Sequence, residues 1–163
     1  MTIHPLINHL VDYTLWANTR FVERLQQEPD EVLDREVASS FPSLRATLLH
    51  IRDAENAWMH RLEEVAPIPW PAEASTALAT VVEHTRRLRH LVHASTEQWL
   101  EGQVGYADLR GNRHEQVRWQ MILHCCNHGT QHRGQLITMM RTLGLDRIPA
   151  NDLVVFQRSL RRG

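Results

Sequence analysis

Apolar side chains recur at steps of three and four residues in four long segments of the chain. That spacing is typical of helices that bury one face. The segments cover approximately residues 5–27, 43–64, 74–100 and 115–142. Four such segments with connections of modest length predict an all-α fold, a four-helix bundle. The fourth segment is apolar around most of its circumference, so we expect it to be the most buried helix.

Proline and glycine mark the ends of these segments. Pro5 suits a first helical turn, where its missing N–H is not needed, and Pro29 cannot continue the first helix. The stretch "APIPWPAE", residues 66–73, contains three prolines and predicts a rigid connection after the second helix. Gly144 marks the end of the fourth helix.

Two further stretches lie outside the four segments. Residues 101–115, "EGQVGYADLRGNRHE", predict a short irregular loop or a small hairpin before the fourth helix. The tail after residue 144 predicts a loop followed by a short helical or extended segment. The sequence contains no repeat, low-complexity tract or linker. We therefore expect residues 1–163 to form a single domain.

Composition narrows the classes of partner and compartment. A net charge of −1 gives no general electrostatic basis for binding nucleic acid or an anionic membrane. All 18 basic residues are Arg, which removes lysine as a Schiff-base nucleophile or general base. The two cysteines, Cys125 and Cys126, are adjacent and do not form a disulfide framework. We expect a cytoplasmic protein that acts on a small molecule, without nucleic acid or membrane.

Histidines in the fourth segment suggest a metal site. The stretch "HCCNHGTQH" places His124, His128 and His132 at spacings of four, on one stripe of a helix. Neighbours one turn apart can bind one ion, whereas His124 and His132 lie about 12 Å apart along the axis. One adjacent pair can therefore serve a metal. The signal is weak alone, because eleven histidines in 163 residues place some pairs four apart by chance.

A third ligand has to come from another helix, and His50 is the best candidate. Its neighbours along the helical stripe are all small: Ser43, Ala46, Ala54 and Ala57. Small residues leave room beside an imidazole and let a facing helix approach closely. The alternative interpretation of these histidines is a set of buried, hydrogen-bonded core residues.

Four stretches resemble the DinB/YfiT family of small four-helix metalloproteins. They are "HLVDYTLWANTRFVERL", "LRATLLHIRDAENAWMHRL", "LHCCNHGTQHRGQL" and "LGLDRIPANDLVVF". The NHxxxHRGQ signature is the most specific part. The resemblance implies that a histidine of the second helix and two of the signature, His50, His128 and His132, bind a divalent metal. Many relatives have His or Tyr where this chain has Gln131.

The resemblance also implies a chemistry. Three imidazoles leave a fourth position for water or substrate, which is typical of catalytic sites. We expect zinc, with nickel or iron as alternatives, acting as a Lewis acid on a bound water or thiol. Related transferases and isomerases use low-molecular-weight thiols such as bacillithiol or mycothiol, so a thiol-dependent S-transferase is the leading hypothesis. A metal-dependent hydrolase and a non-catalytic, stress-associated metal-binding protein are the alternatives. Relatives often form homodimers.

Other residues near the predicted site receive supporting roles, and no catalytic residue is assigned beyond the metal centre. We expect His124 to pack beside the ligands or to orient one of them. Gln135 follows His132 on the inner stripe and is a second candidate for orienting a ligand. Trp16 and Tyr13 are expected to line the mouth of the pocket.

The remaining residues of the signature region are interpreted as structural. Gly129 and Gly134 are expected to allow close helix approach, because glycine otherwise destabilises a helix. Arg133 points away from the histidine stripe and is expected to pair with an acid on another helix. Cys125 and Cys126 are expected to be buried packing thiols.

Overall fold

The fold of the protein is described by a computed structural model for residues 2–66, 70–71 and 73–161. Four long helices dominate it, with short elements between them. The elements are α1 (His4–Leu25), α2 (Asp30–Leu33), α3 (Leu44–Leu62), α4 (Ala79–Ala94), α5 (Glu97–Glu101), β1 (Gln103–Ala107), β2 (Arg113–Val117), α6 (Arg118–Thr142) and α7 (Leu153–Ser159).

The long helices α1, α3, α4 and α6 form the predicted bundle. Each of α1 and α3 packs against both α4 and α6, so the four helices form a closed ring in cross-section. The helical period in the sequence arises from this arrangement, because every long helix has two neighbours to cover its apolar stripe. The all-α prediction is confirmed.

Two predicted boundaries differ from the structure. The third segment is broken: α4 ends at Ala94, Ser95 is extended, and α5 starts after Thr96. The Thr96 side chain accepts a hydrogen bond from the Trp99 N–H, which favours a new helix over continuation of the old one. The fourth helix begins at Arg118, because residues 113–117 pair as a strand.

A two-stranded antiparallel hairpin precedes α6, which confirms the hairpin alternative. Strands β1 and β2 pair with Tyr106 opposite His114. The Asp108 carboxylate accepts hydrogen bonds from the backbone N–H groups of Arg110 and Asn112. Gly111 has φ +83°, a left-handed conformation that glycine adopts without strain. These contacts explain why this stretch turns back on itself.

The interior contains two apolar clusters separated by a polar layer. One cluster surrounds Phe21, Ile51 and Leu136, and the other surrounds Val11 and Met121. Buried polar side chains lie between them along the helices: Asn18 on α1, Glu55 on α3, Thr85 on α4 and Arg133 on α6. The core is therefore layered along the bundle axis.

The remaining predictions on the fold concern the tail and the proline-rich connection. The tail forms α7, whose Phe156 packs against Tyr13 and Ala17 of α1. Half of the predicted rigid connection, residues 67–69 and 72 of 66–73, lies outside the described residues. Within the described part of the chain, no helix is both long and apolar enough to cross a bilayer.

Candidate metal centre

Three histidines from two helices converge in the groove between α3 and α6. The Nε2 atom of His128 lies 3.1 Å from Nε2 of His50 and 3.0 Å from Nε2 of His132. One ring nitrogen from each of the three residues lies within 4.8 Å of the other two. The structure thus brings together the three residues that the sequence and the resemblance select as ligands.

The local sequence places the two signature histidines on one face of α6. His128 and His132 lie one turn apart, with Gly129 between them. A Cβ atom at Gly129 would lie 3.9 Å from Ile51 Cγ2, which is ordinary van der Waals contact, and 3.1 Å from Arg133 Nη1, which is tight. The absence of a side chain at Gly129 therefore leaves room for Arg133 of the same helix, and the approach of α3 does not depend on it. Ser43 fixes the start of α3 by accepting a hydrogen bond from the Ala46 N–H.

Aromatic rings cover the cluster on the side of the connecting segments. The Phe41 ring stacks on His50 at a centroid distance of 4.0 Å and meets the edge of His132 at 5.6 Å. The Trp70 ring lies 5.7 Å from that of His50. These rings restrict how far the imidazoles can turn. Phe41 and Trp70 lie in segments without helical periodicity, so no pattern in the sequence predicts their role.

Burial favours the neutral form of two of the imidazoles, those of His50 and His128. Burial lowers the pKa of His50 to about 4, and a neighbouring imidazole, His132, adds to the effect. Burial also lowers the pKa of His128 to about 4, with contributions from His132, His50 and His124. A histidine must be neutral to offer a lone pair to a metal. At neutral pH these two rings therefore have lone pairs available.

Gln135 fixes the orientation of His132. The Gln135 side-chain amide donates to Ser40 Oγ at 2.7 Å, and its carbonyl oxygen lies 2.8 Å from His132 Nδ1. A carbonyl oxygen can only accept, so Nδ1 bears the proton of this ring. Nε2 of His132 is then the nitrogen with the lone pair, and it faces His128. Histidines that bind a metal usually donate such a hydrogen bond from the ring nitrogen that does not face the ion.

The donor set fits a divalent cation better than a hydrogen-bonded cluster. A neutral ring nitrogen has one proton or one lone pair, whereas His128 Nε2 faces two other ring nitrogens at hydrogen-bond distance. Hydrogen bonds can satisfy only one of these two contacts. In tetrahedral coordination at 2.0–2.1 Å, ligand nitrogens lie about 3.3 Å apart. The separations of His128 Nε2 from Nε2 of His50 and from Nε2 of His132, 3.1 and 3.0 Å, are close to that value.

The structure places the other predicted site residues as follows. His124 is exposed, with its ring 4.8 Å from Trp58 and 6.3 Å from His128, which is a packing position at the edge of the cluster. Tyr13 and Trp16, predicted to line the pocket mouth, pack with Phe156. Phe41 and Trp70 occupy the aromatic positions beside the histidines.

Two structural interpretations need correction. The prediction that Arg133 pairs with an acid is wrong. Among the described residues, its guanidinium donates instead to two amide oxygens, Asn18 Oδ1 and Asn151 Oδ1, both at 2.8 Å. The amide of Asn18 separates it from the buried carboxylate. Gly134 does not mediate a close helix approach, since a Cβ there would meet nothing within 4 Å. The cysteines, by contrast, are buried as predicted.

A cavity of about 680 Å³ lies between α3 and the hairpin, and none of the three histidines is among the described residues that line it. It is lined by α3 between Asp53 and Glu64, by Trp70 and by hairpin residues between Gly105 and Arg113. Asp53 lies one turn from His50 on α3, and the centre of the Trp70 ring lies 5.7 Å from that of His50. The volume falls in the usual range for small-molecule sites. The sequence did not predict this cavity, because the hairpin and α3 are about forty residues apart in the chain.

Comparisons with known proteins agree with this architecture. Protein DinB of Bacillus subtilis (strain 168) is 24% identical over 153 residues, covering 87% of this chain and 88% of that protein. The crystal structure of a DinB-like protein from Bacillus subtilis matches 88% of this chain and 96% of its own with a TM-score of 0.68 at 15% identity.

A second crystal structure, of a DinB-like protein from Bacillus cereus ATCC 10987, has a TM-score of 0.61 at 21% identity. It covers 85% of this chain and 91% of its own. At sequence identities of 15% and 21%, the similarity of the structures supports a shared fold and nothing further. The model of the DinB family matches residues 1–159, nearly the whole chain, and the protein therefore belongs to the DinB family.

Proposed function

We propose that His50, His128 and His132 bind a divalent metal ion and that the protein is a metal-dependent enzyme, a thiol-dependent S-transferase. The observation that supports it most directly is the convergence of the Nε2 atoms of His50, His128 and His132. Zinc is the expected ion, with nickel and iron as alternatives, because imidazole suits all three. When bound, the ion supplies Lewis acidity that lowers the pKa of a ligated thiol or water.

An incomplete donor set favours catalysis over a purely structural metal site. Among the described residues, only these three histidines offer ligating atoms to one ion. Structural zinc sites are usually closed by four protein ligands, whereas catalytic sites keep one position for substrate. The cavity between α3 and the hairpin starts at Asp53, one turn from His50, and has room for a small-molecule substrate.

The cysteines of the protein support an external thiol as the nucleophile. Cys125 and Cys126 are buried, and burial raises the pKa of Cys125 well above its ordinary value and that of Cys126 to about 11. Neither is a competent nucleophile near pH 7. In the proposed reaction, the external thiol loses its proton to solvent and its sulfur forms a bond to an electrophilic carbon. The leaving group departs with the electron pair of the bond that breaks.

The first test measures metal content by mass spectrometry on untagged protein. We expect near-stoichiometric metal in the wild type and loss of most of it in His128→Ala. His124→Ala is the matched control, one turn away on the same helix, and should keep its metal. Gln135→Ala should weaken metal binding about tenfold or more, because it removes the partner of His132 Nδ1. A wild type that stays metal-free after addition of zinc, nickel or iron would contradict the proposal.

The second test concerns the reaction. Zinc-loaded protein is incubated with glutathione and 1-chloro-2,4-dinitrobenzene, and formation of the thioether is followed by absorbance. We expect transfer above the uncatalysed rate in the wild type and in His124→Ala, and none above that rate in His128→Ala. Stoichiometric metal without transfer would leave a metal-binding protein and reject the transferase.

A further inference from the structure

Exposed apolar side chains gather at the cavity between α3 and the hairpin. In the described part of the chain seven large apolar side chains are exposed, and three of them, Val65, Trp70 and Leu109, line this cavity. Val65 and Trp70 belong to the connection between α3 and α4, whereas Leu109 belongs to the hairpin turn. Single exposed apolar residues are common on protein surfaces, but several that meet at one concave site indicate a place where an apolar group binds.

The acidic side chains of the same lining are all engaged by neighbouring groups. Asp53 Oδ1 accepts a hydrogen bond from Arg52 Nε at 2.9 Å, and Glu64 Oε2 accepts one from Arg118 Nη2 at 2.7 Å. The Asp108 carboxylate accepts hydrogen bonds within the hairpin turn, from the backbone N–H groups of Arg110 and Asn112 among others. The carboxylates therefore do not call for a cation in the cavity.

The two arginines of the lining, Arg61 and Arg113, have no such partner. Among residues 2–66, 70–71 and 73–161, neither has a carboxylate within 4 Å of its side-chain nitrogens. Neither guanidinium donates a hydrogen bond within this part of the chain. A guanidinium has five N–H donors and a permanent positive charge. The lining therefore offers a ligand positive charge and unused donors.

Aromatic contacts hold the guanidinium of Arg61 in place. Its central carbon lies 4.4 Å from the centre of the Trp58 ring and 4.9 Å from that of the Tyr106 ring. The two rings meet edge to face at 5.6 Å, so the guanidinium rests in the corner between them. Such contacts leave the in-plane N–H groups of an arginine available, and the planar fork of donors matches the two oxygens of a carboxylate.

We infer that this cavity binds a small organic acid, with its carboxylate at Arg61 and its apolar body against Val65, Trp70 and Leu109. An inorganic anion would leave the three apolar side chains exposed. A neutral apolar molecule would leave the two guanidinium groups of the lining without an acceptor. An acid with an apolar body satisfies both parts of the lining. None of the three histidines lines the cavity, so the inference does not rest on the proposed function.

The test compares a charged and an uncharged ligand of nearly the same shape. Full-length ¹⁵N-labelled protein is titrated at neutral pH with 3-phenylpropionate or with 3-phenylpropan-1-ol, and binding is followed by the chemical shifts of the protein. The variants are Arg61→Gln for the charge and Leu109→Ser for the apolar wall. Arg110→Gln and Leu160→Ser are the matched controls, because Arg110 and Leu160 are exposed but do not line the cavity.

We expect the wild type to bind the acid with a dissociation constant of about 1 mM or lower, and the alcohol about tenfold more weakly. Arg61→Gln should weaken binding of the acid about tenfold and leave that of the alcohol unchanged, which also shows that the cavity is intact. Leu109→Ser should weaken binding of both ligands about threefold, because it removes apolar contact. Arg113→Gln should weaken binding of the acid less than Arg61→Gln does, since Arg113 is exposed.

Three results would overturn the inference. They are no saturable shifts in the wild type, equal affinities for the acid and the alcohol, and a loss in Arg110→Gln as large as that in Arg61→Gln. The titration is repeated after treatment with EDTA, and loss of acid binding there would mean that the acid binds a metal ion instead. The metal content of the same samples tests the proposed function separately, because the three histidines and the cavity lining share no described residue.

Discussion

Two polar groups share α6 but differ in how their hydrogen-bonding capacity is used. His132 and Arg133 are neighbours in the chain, and both are buried. His132 joins the histidine centre, where three ring nitrogens face one another and one hydrogen bond cannot satisfy them all. Arg133 turns into the bundle and joins a network with Asn18, Glu55 and Thr85, in which donors and acceptors are matched.

The interior network connects all four long helices. Asn18 Nδ2 donates to Glu55 Oε1 and to Thr85 Oγ1, both at 2.9 Å, and Thr85 Oγ1 donates to Glu55 Oε2 at 2.6 Å. Asn18 Oδ1 accepts from Arg133 Nη1 at 2.8 Å. Because this layer separates the two apolar clusters, a shift of one helix along another would break its hydrogen bonds. The network therefore serves the fold.

The difference between the two groups indicates their roles. Buried polar atoms that satisfy one another stabilise a single helix arrangement. Nitrogens that converge without enough protons to pair them need a further partner, and a cation is the partner that accepts three lone pairs. Substitutions in the network should thus affect stability, whereas substitutions in the histidine centre should affect metal binding.

The largest effect is expected for Asn18→Ala. It removes the amide that links Glu55, Thr85 and Arg133, and it leaves a buried arginine and a buried carboxyl without their common partner. We expect the free energy of unfolding to fall by about 3–5 kcal/mol, measured by urea denaturation. His50→Ala in the metal-free protein is the matched control and should lower it by about 1 kcal/mol or less. Equal losses in the two variants would contradict the division of roles.

A change of pH is expected to have an intermediate effect on the stability of the metal-free protein. The pKa values of His50 and His128 are lowered from 6.5 to about 4, so the unfolded chain takes up protons first as pH falls. The metal-free protein should therefore lose stability from about pH 6.5 to about pH 4. Glu55 changes stability with pH in the opposite direction, because burial raises its pKa from 4.5 to about 7. Its ionisation should destabilise the fold as pH rises from 4.5 through 7, by about 3 kcal/mol in full.

Thermal unfolding of metal-free variants between pH 4 and 8 resolves these two contributions. His128→Gln should reduce the loss of stability on the acid side. Glu55→Gln should remove the destabilisation between pH 4.5 and pH 7, so that its stability falls more steeply than that of the wild type as pH drops over this interval. The change of slope with pH is the quantity to compare, because either substitution also shifts stability equally at every pH. Parallel curves for wild type and both variants would reject these assignments.

The smallest effect concerns the two glycines of α6. Gly134→Ala should stabilise the protein by about 0.5–1 kcal/mol, since a Cβ there meets nothing within 4 Å and alanine favours a helix. Gly129→Ala should destabilise it, because its Cβ would lie 3.1 Å from Arg133 Nη1, which the network holds in place. Chemical denaturation measures both. A gain in Gly129→Ala equal to that in Gly134→Ala would mean that the Arg133 side chain shifts to make room for the added Cβ.

The sequence by itself determined the four long helices and the three histidines of the candidate site. Apolar spacing defined the four long helices, and the spacing of His128 and His132 placed their rings on one face of α6. The small residues around His50, together with the resemblance, selected the third ligand. These features depend on local geometry, which fixes the face of a helix on which each side chain lies.

Only the tertiary structure decided which faces meet and what surrounds the site. Phe41 and Trp70 reach the histidines from connecting segments, whereas Tyr13 and Trp16 pack with Phe156. Neighbours from distant segments are set by the packing of the whole chain, and no local period encodes them. The same reason explains the partners of Arg133 and the cavity between α3 and the hairpin: each depends on the relative position of elements far apart in sequence.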